Sequence, residues 1–147
     1  MKLLVATDLS DSASTMIERA QAIAKTLSAE VWLVHVVEPD PDIIGITARP
    51  KSVRDTIAEK FHGEHRKLQQ LAEGMRNQGL KVTALLVQGT TAEKILHEAA
   101  KLEVDMIVIG TPGRGAIYQL LVENVVKEIL QQSPYPVLVI PMHGHTT

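Results

Sequence analysis

Two rhythms of apolar and polar positions alternate along this chain. Lys2 to Ala6, Val31 to Val37, Leu80 to Val87, Met106 to Ile109 and Val137 to Ile140 are short, nearly continuous apolar runs rich in valine, leucine and isoleucine. Runs of that length and composition, closed by turn residues, predict strands buried on both faces of a sheet. Between them the apolar residues fall every third or fourth position, the period of a helix with one buried stripe. Ala13, Met16, Ile17, Ala20, Ile23, Ala24 and Leu27 predict a first helix, with Ser10, Asp11 and Ser12 as candidate N-caps. Val53, Ile57, Phe61, Leu68, Leu71, Ala72 and Met75 predict a long second helix over 52–77, weakened in its middle by Gly63 and ended by Asn77-Gln78-Gly79. Thr90-Thr91-Ala92-Glu93 predicts a capping box, with Thr90 as N-cap, opening a third helix that buries Ala92, Ile95, Leu96 and Ala99. Leu121, Val122, Val125, Val126, Ile129 and Leu130 mark a last helix, which starts either after Gly115 or at an Asn124 cap, and which Pro134 and Pro136 stop.

Strands alternating with helices predict an α/β fold, an open doubly wound sheet of five parallel strands with helices on both faces. The expected organisation is a single domain over 1–142 with a flexible tail over 143–147. Residues 38–50 break the pattern, because Pro39, Pro41 and Pro50 prevent a regular helix and Gly45 loosens the chain. They predict a loop over the carboxyl edge of the sheet, with Ile43, Ile44 and Ile46 packing on something. Doubly wound sheets bind ligands at the carboxyl ends of their strands, where the winding reverses. If strands one and four are neighbours there, Asp8 and the turn after Ile109 face one crevice.

That turn carries the densest candidate chemistry. Gly110, Gly113 and Gly115 follow the fourth strand as Gly-x-x-Gly-x-Gly. A glycine-rich turn between a parallel strand and a helix is where such sheets hold phosphates, and it is also simply a turn that needs glycines. The spacing excludes the Gly-x-Gly-x-x-Gly dinucleotide fingerprint, and no Gly-Lys-Ser/Thr follows.

Composition narrows the function by exclusion. A formal net charge of −2 gives no electrostatic case for nucleic acid or an anionic membrane. Aromatics at 3% argue against stacking platforms for single-stranded nucleic acid. The absence of cysteine removes disulfides and thiol catalysis and fits a reducing cytoplasm. The apolar run Leu3 to Ala6 is too short for a signal peptide, and no stretch reaches the roughly 20 apolar residues that span a bilayer. His62 and His65 have a spacing that permits metal ligation, with Glu59 and Glu64 nearby, but such polar pairs are routine on helix surfaces, so no metal site is assigned. His35, inside an apolar strand, reads as a satisfied core histidine. Asp8, Ser10 and Asp11 are explained by capping, and no nucleophile with a paired base can be argued. Val137, Leu138, Val139 and Ile140 form an apolar edge strand, a liability unless paired, and pairing with a second copy in a two-fold dimer answers it.

Four segments taken together resemble the universal stress proteins: Val5 to Ala13 with its Ala6-Thr7-Asp8, Val34-His35-Val36, Gly110-Thr111-Pro112-Gly113-Arg114, and Pro134 to Ile140. The resemblance spans essentially the whole chain. It implies an adenine-nucleotide alpha-hydrolase-like sheet of order 3-2-1-4-5 and a homodimer joined through the last strands. One branch of that family binds ATP through Gly, two residues, Gly, nine residues, then Gly and Ser or Thr. Gly110 and Gly113 match the first half, but Glu123 and Asn124 stand where the second half would be. In that branch these two positions meet phosphates at the start of the last helix, which favours the shorter helix starting near Asn124. Glu123 adds a side chain and a negative charge there, so triphosphate binding is expected to weaken.

The resemblance carries a site onto Ala6, Thr7 and Asp8, with Asp8 on ribose or base, onto the backbone of Val36 at the adenine edge, and onto Ile109, Gly110, Gly113 and Arg114 towards the phosphates. Glu123, Asn124 and Val125 complete it. Arg114 suits a bidentate phosphate contact. The implied cofactor is an adenine nucleotide, ATP or AMP, with or without magnesium. The expected role is a cytoplasmic, non-catalytic regulatory or stress-tolerance module that acts on a protein partner. The alternatives are a nucleotide-free homodimer working only by protein contacts and a slow ATP hydrolase.

Overall fold

The computed structural model describes residues 1–10, 13–38, 51–111 and 116–141, and in 51–57 and 116–123 the backbone alone. Its elements are β1 (Lys2–Ala6), α1 (Ala13–Thr26), β2 (Glu30–Val37), α2 (Lys51–Arg76), β3 (Val82–Gln88), α3 (Thr91–Leu102), β4 (Met106–Gly110), α4 (Ala116–Gln132) and β5 (Val137–Ile140). The strands form one sheet in the order β3-β2-β1-β4-β5, and every pairing is parallel. The expected doubly wound fold is therefore present, and its winding reverses between β1 and β4.

The two-residue alternation of a strand divides the core between the two sheet faces. Leu3, Val5, Val31, Leu33 and Val108 turn to one face, where they pack with Met16 and Ala20 of α1 and with Leu68, Ala72 and Met75 of α2. Leu4, Val34, Val36, Ile107 and Ile109 turn to the other, against Ile95 and Ala99 of α3 and Ile129 of α4. Leu3, Leu4 and Val5 are fully buried, as the central strand of an open sheet requires. Burying each of them contributes roughly 2 kcal/mol. Phe61 and Leu27, at the margins of their stripes, are exposed.

Three local expectations need correcting. The Thr90 capping box does not form. Thr90 has the extended backbone of an N-cap, but its side chain makes no capping bond. Glu38, just past β2, supplies the acceptor instead, its Oε1 taking bonds from Thr91 N at 3.1 Å and Thr91 Oγ1 at 2.9 Å. A carboxylate is the better partner for the positive end of a helix. Second, α4 is continuous from Ala116, so the start after Gly115 is the one adopted and Asn124 is inside the helix, exposed. Glutamate at 123 is a good helix former where the family's glycine would break the helix. Third, β3 starts at Val82, because Gly79, at φ 90°, still turns the chain after α2 and Leu80 packs into the core ahead of the strand. Asp11, Ser12, the 39–50 loop and the tail lie outside the described residues. Among the described residues no helix is long and apolar enough to cross a membrane.

Candidate functional site

The carboxyl ends of β1 and β4 sit side by side at the winding reversal, and the chain past β1 is tightly held. Thr7 N donates to Val34 O at 2.9 Å, carrying the ladder one residue beyond β1. Thr7 Oγ1 accepts from Leu9 N at 3.1 Å, and Leu9 adopts φ 61° to turn the chain. Asp8 Oδ1 accepts from Ser10 N at 2.9 Å and from Ser10 Oγ at 2.6 Å. Ser10 O in turn accepts from Ala13 N at 3.0 Å, where α1 begins. Asp8 thus braces the turn ahead of the helix and is not its N-cap.

His35 ties this turn to the opposite face of the sheet. It is buried, and its Nδ1 lies 2.9 Å from Thr7 O. A carbonyl only accepts, so Nδ1 carries the hydrogen. Nε2 then faces Glu64 Oε2 of α2 at 3.4 Å, with the two side chains 11% and 25% exposed. That separation is an ion-pair distance, but Glu64 Oε2 makes no hydrogen bond despite being buried. The expectation of a core histidine with partners holds.

A cavity of about 200 Å³ opens beside the turn, on the face covered by α3 and α4. Ala6, Thr7 and Asp8 of the β1 end, Val34, His35 and Val36 of β2, and Ile109 and Gly110 of β4 form its floor and sides. Ile95 of α3 and Val125 and Val126 of α4 wall it, and the bonded pair Glu38 and Thr91 lines it as well. The walls are apolar. The charged side chains among the described lining residues are both carboxylates, Asp8 and Glu38.

Of the residues expected at a site, Ala6, Thr7, Asp8, Val36, Ile109, Gly110 and Val125 line this one cavity. Asn124 does not line it, Glu123 is described only as helix backbone, and Gly113 and Arg114 lie outside the described residues. Sequence reasoning missed Val34, His35, Glu38, Thr91, Ile95 and Val126. Val34 and Val126 each adjoin an expected residue or the same strand, and Ile95 and Val126 were legible as stripe positions. Glu38 and Thr91 meet across 53 positions and gave no local signal.

Comparison with known proteins bears on what such a crevice serves. The model of the universal stress protein family matches residues 1–141. The chain belongs to that family. A universal stress protein of Thermus aquaticus is 34% identical over 141 residues, covering 94% of this chain and 96% of the relative. The solved structure of MJ0577, a universal stress protein of Methanocaldococcus jannaschii, superposes with a TM-score of 0.76 at 23% identity, over 99% of this chain and 97% of that one. Two further solved universal stress proteins share the fold and hold nucleotides. One is a complex with cAMP, with a TM-score of 0.69 at 20% identity over 97% of both chains. The other, from Archaeoglobus fulgidus, is a complex with dAMP, with a TM-score of 0.65 at 22% identity over 95% of this chain and 97% of that one.

Proposed function

We propose that this universal stress-type chain is a non-catalytic cytoplasmic module that binds an adenine nucleotide and, when occupied, changes the surface it offers to a protein partner. The observation that carries the reading is the cavity itself: a slot with apolar walls at the winding reversal, bordered by the Asp8 turn and Gly110. Such walls suit a planar base, and a few polar groups at the edge suit a sugar. The cAMP and dAMP complexes of related proteins support the same ligand class. The bonds from Ser10 hold the Asp8 carboxylate in place at the edge of the cavity.

Fewer phosphates suit this site better than three. Asp8 and Glu38 bring negative charge to the lining. The amides at 123 and 124 lie within α4, so they are spent on helix hydrogen bonds and not offered to a phosphate. AMP is therefore the expected ligand over ATP. Calorimetric titration of each, with and without magnesium, into nucleotide-stripped protein and an Asp8→Ala variant tests this. AMP binding that exceeds ATP binding and falls at least tenfold in the variant is expected. No heat from either nucleotide in the parent protein sinks the proposal.

A second reading, a homodimer acting by protein contacts alone, draws on β5. That strand ends the sheet, pairs with β4 on one side only, and keeps Val137, Leu138 and Val139 half-buried. Pairing with a second copy would close the edge, and it is compatible with an occupied or an empty slot.

A further inference from the structure

Among the described residues, Glu64 Oε2 is the one buried side-chain oxygen or nitrogen without a hydrogen-bond partner. What it meets is Nε2 of the buried His35, 3.4 Å away. The tautomer makes that meeting unfavourable while the ring is neutral. Nδ1 is committed as donor to Thr7 O at 2.9 Å, so Nε2 of the neutral ring carries a lone pair. A lone pair and a carboxylate oxygen are two acceptors face to face, with no donor between them. One proton from solvent on Nε2 resolves the conflict. It gives Glu64 Oε2 a charge-assisted donor and leaves the bond to Thr7 O intact, because both nitrogens of an imidazolium donate.

We propose that His35 and Glu64 are a proton-operated latch, in which uptake of one proton at Nε2 fastens α2 to the end of β2 and its loss unfastens them. Because the same ring holds Thr7 O, the latch joins α2 to the turn that borders the cavity. The other charged groups of the surrounding elements are exposed or already engaged. On α2, Lys60 and Lys67, a turn to either side of Glu64, are exposed, and His65 is exposed beside Gln69. On α1, Glu18 and Arg19 are exposed while Ala13, Met16 and Ile17 face the sheet. Past β1, Asp8 is bonded to Ser10, and on β3 the register partner of His35 is the apolar Leu86. Imidazole changes charge between about pH 5 and 8. The folded chain offers the proton a carboxylate that the unfolded chain does not, so the latch stabilises most at the acid end of that range and its contribution is lost as pH rises.

The test follows urea midpoints of the parent and of Glu64→Gln from about pH 5.5 to about pH 8. The glutamine amide donates to the Nε2 lone pair without a proton, so the variant keeps the contact at every pH while all other titrating groups stay the same. The parent midpoint is expected to exceed the variant's at the acid end and to lose that lead by about 0.5 M towards the basic end. A difference that stays flat across the range, or that grows with pH, overturns the latch. Ring NMR separates it from a merely structural role. The His35 signals, identified by their loss in His35→Leu, should titrate at a higher pH in the parent than in Glu64→Gln, and equal midpoints overturn the proposal. Long-range nitrogen–proton spectra of the parent alone decide the matter should the variant not fold. The Nδ1–H tautomer at the basic end and a ring protonated on both nitrogens at the acid end are expected. An Nε2–H tautomer at the basic end, or a ring still neutral at the acid end, overturns the latch.

Discussion

Replacing His35 by leucine tests the account of how the turn after β1 is held. Leucine fills a similar volume but removes two contacts at once. Thr7 O loses the Nδ1–H donor at 2.9 Å, and Glu64 Oε2 loses the ring 3.4 Å away. An acceptor left buried without a donor costs about 1–3 kcal/mol. The contact with Glu64 lacks hydrogen-bond geometry and is an ion pair only with a protonated ring, so it adds nothing to the expected cost. About 2 kcal/mol is the expectation for His35→Leu. Glu64→Leu keeps the bond to Thr7 and should cost about 1 kcal/mol or less.

Urea unfolding at neutral pH, followed by the fluorescence of Trp32, the chain's one tryptophan, reads these differences directly. With a slope near 2 kcal/mol/M, the midpoint of His35→Leu should fall by about 1 M. Protein concentration must be matched across the set, because any self-association adds a concentration-dependent contribution to apparent stability. A His35→Leu midpoint equal to that of the parent would refute the holding of Thr7 O by His35.

Two further outcomes follow from the same structure. Leu68→Ala should destabilise by about 3 kcal/mol, since that side chain is fully buried between α2 and the sheet, whereas Phe61→Ala, on an exposed residue of the same stripe, should cost under about 1 kcal/mol; urea midpoints of the pair decide it. Pro136 O and Ile140 O accept from β4-side amides, so the alternate residue Val139 turns its own N–H to the open edge of β5, and Val139→Pro should convert a β5-joined dimer to monomer in light scattering while leaving the far-UV spectrum intact.

How much was legible in the sequence depends on the range over which each feature is decided. The strands and helices were readable because burial on both faces or on one stripe writes a period into the chain, as in Leu3 to Val5 or Ala13 to Ala24. The parallel, doubly wound class followed from strands alternating with helices, while the order 3-2-1-4-5 came from the family resemblance. Gly79 was readable as a helix end because only a left-handed turn at that position needs glycine. The Thr90 capping box failed for the opposite reason. The motif is local, but its competitor, Glu38, arrives from another strand, and no window of sequence contains both.

The same distinction explains where the expected site was right and where it was not. Asp8, Val36, Ile109 and Gly110 meet because they end adjacent strands, a consequence of sheet order. Asn124 fails to meet them because its position depends on where α4 begins, and that is set by the helix propensity of the residues around Glu123, not by the motif it replaces. The amides of Glu123 and Asn124 lie inside α4 and are spent on the helix's own hydrogen bonds. What the strand ends build is a cavity with apolar walls and two carboxylates, Asp8 and Glu38, in its lining.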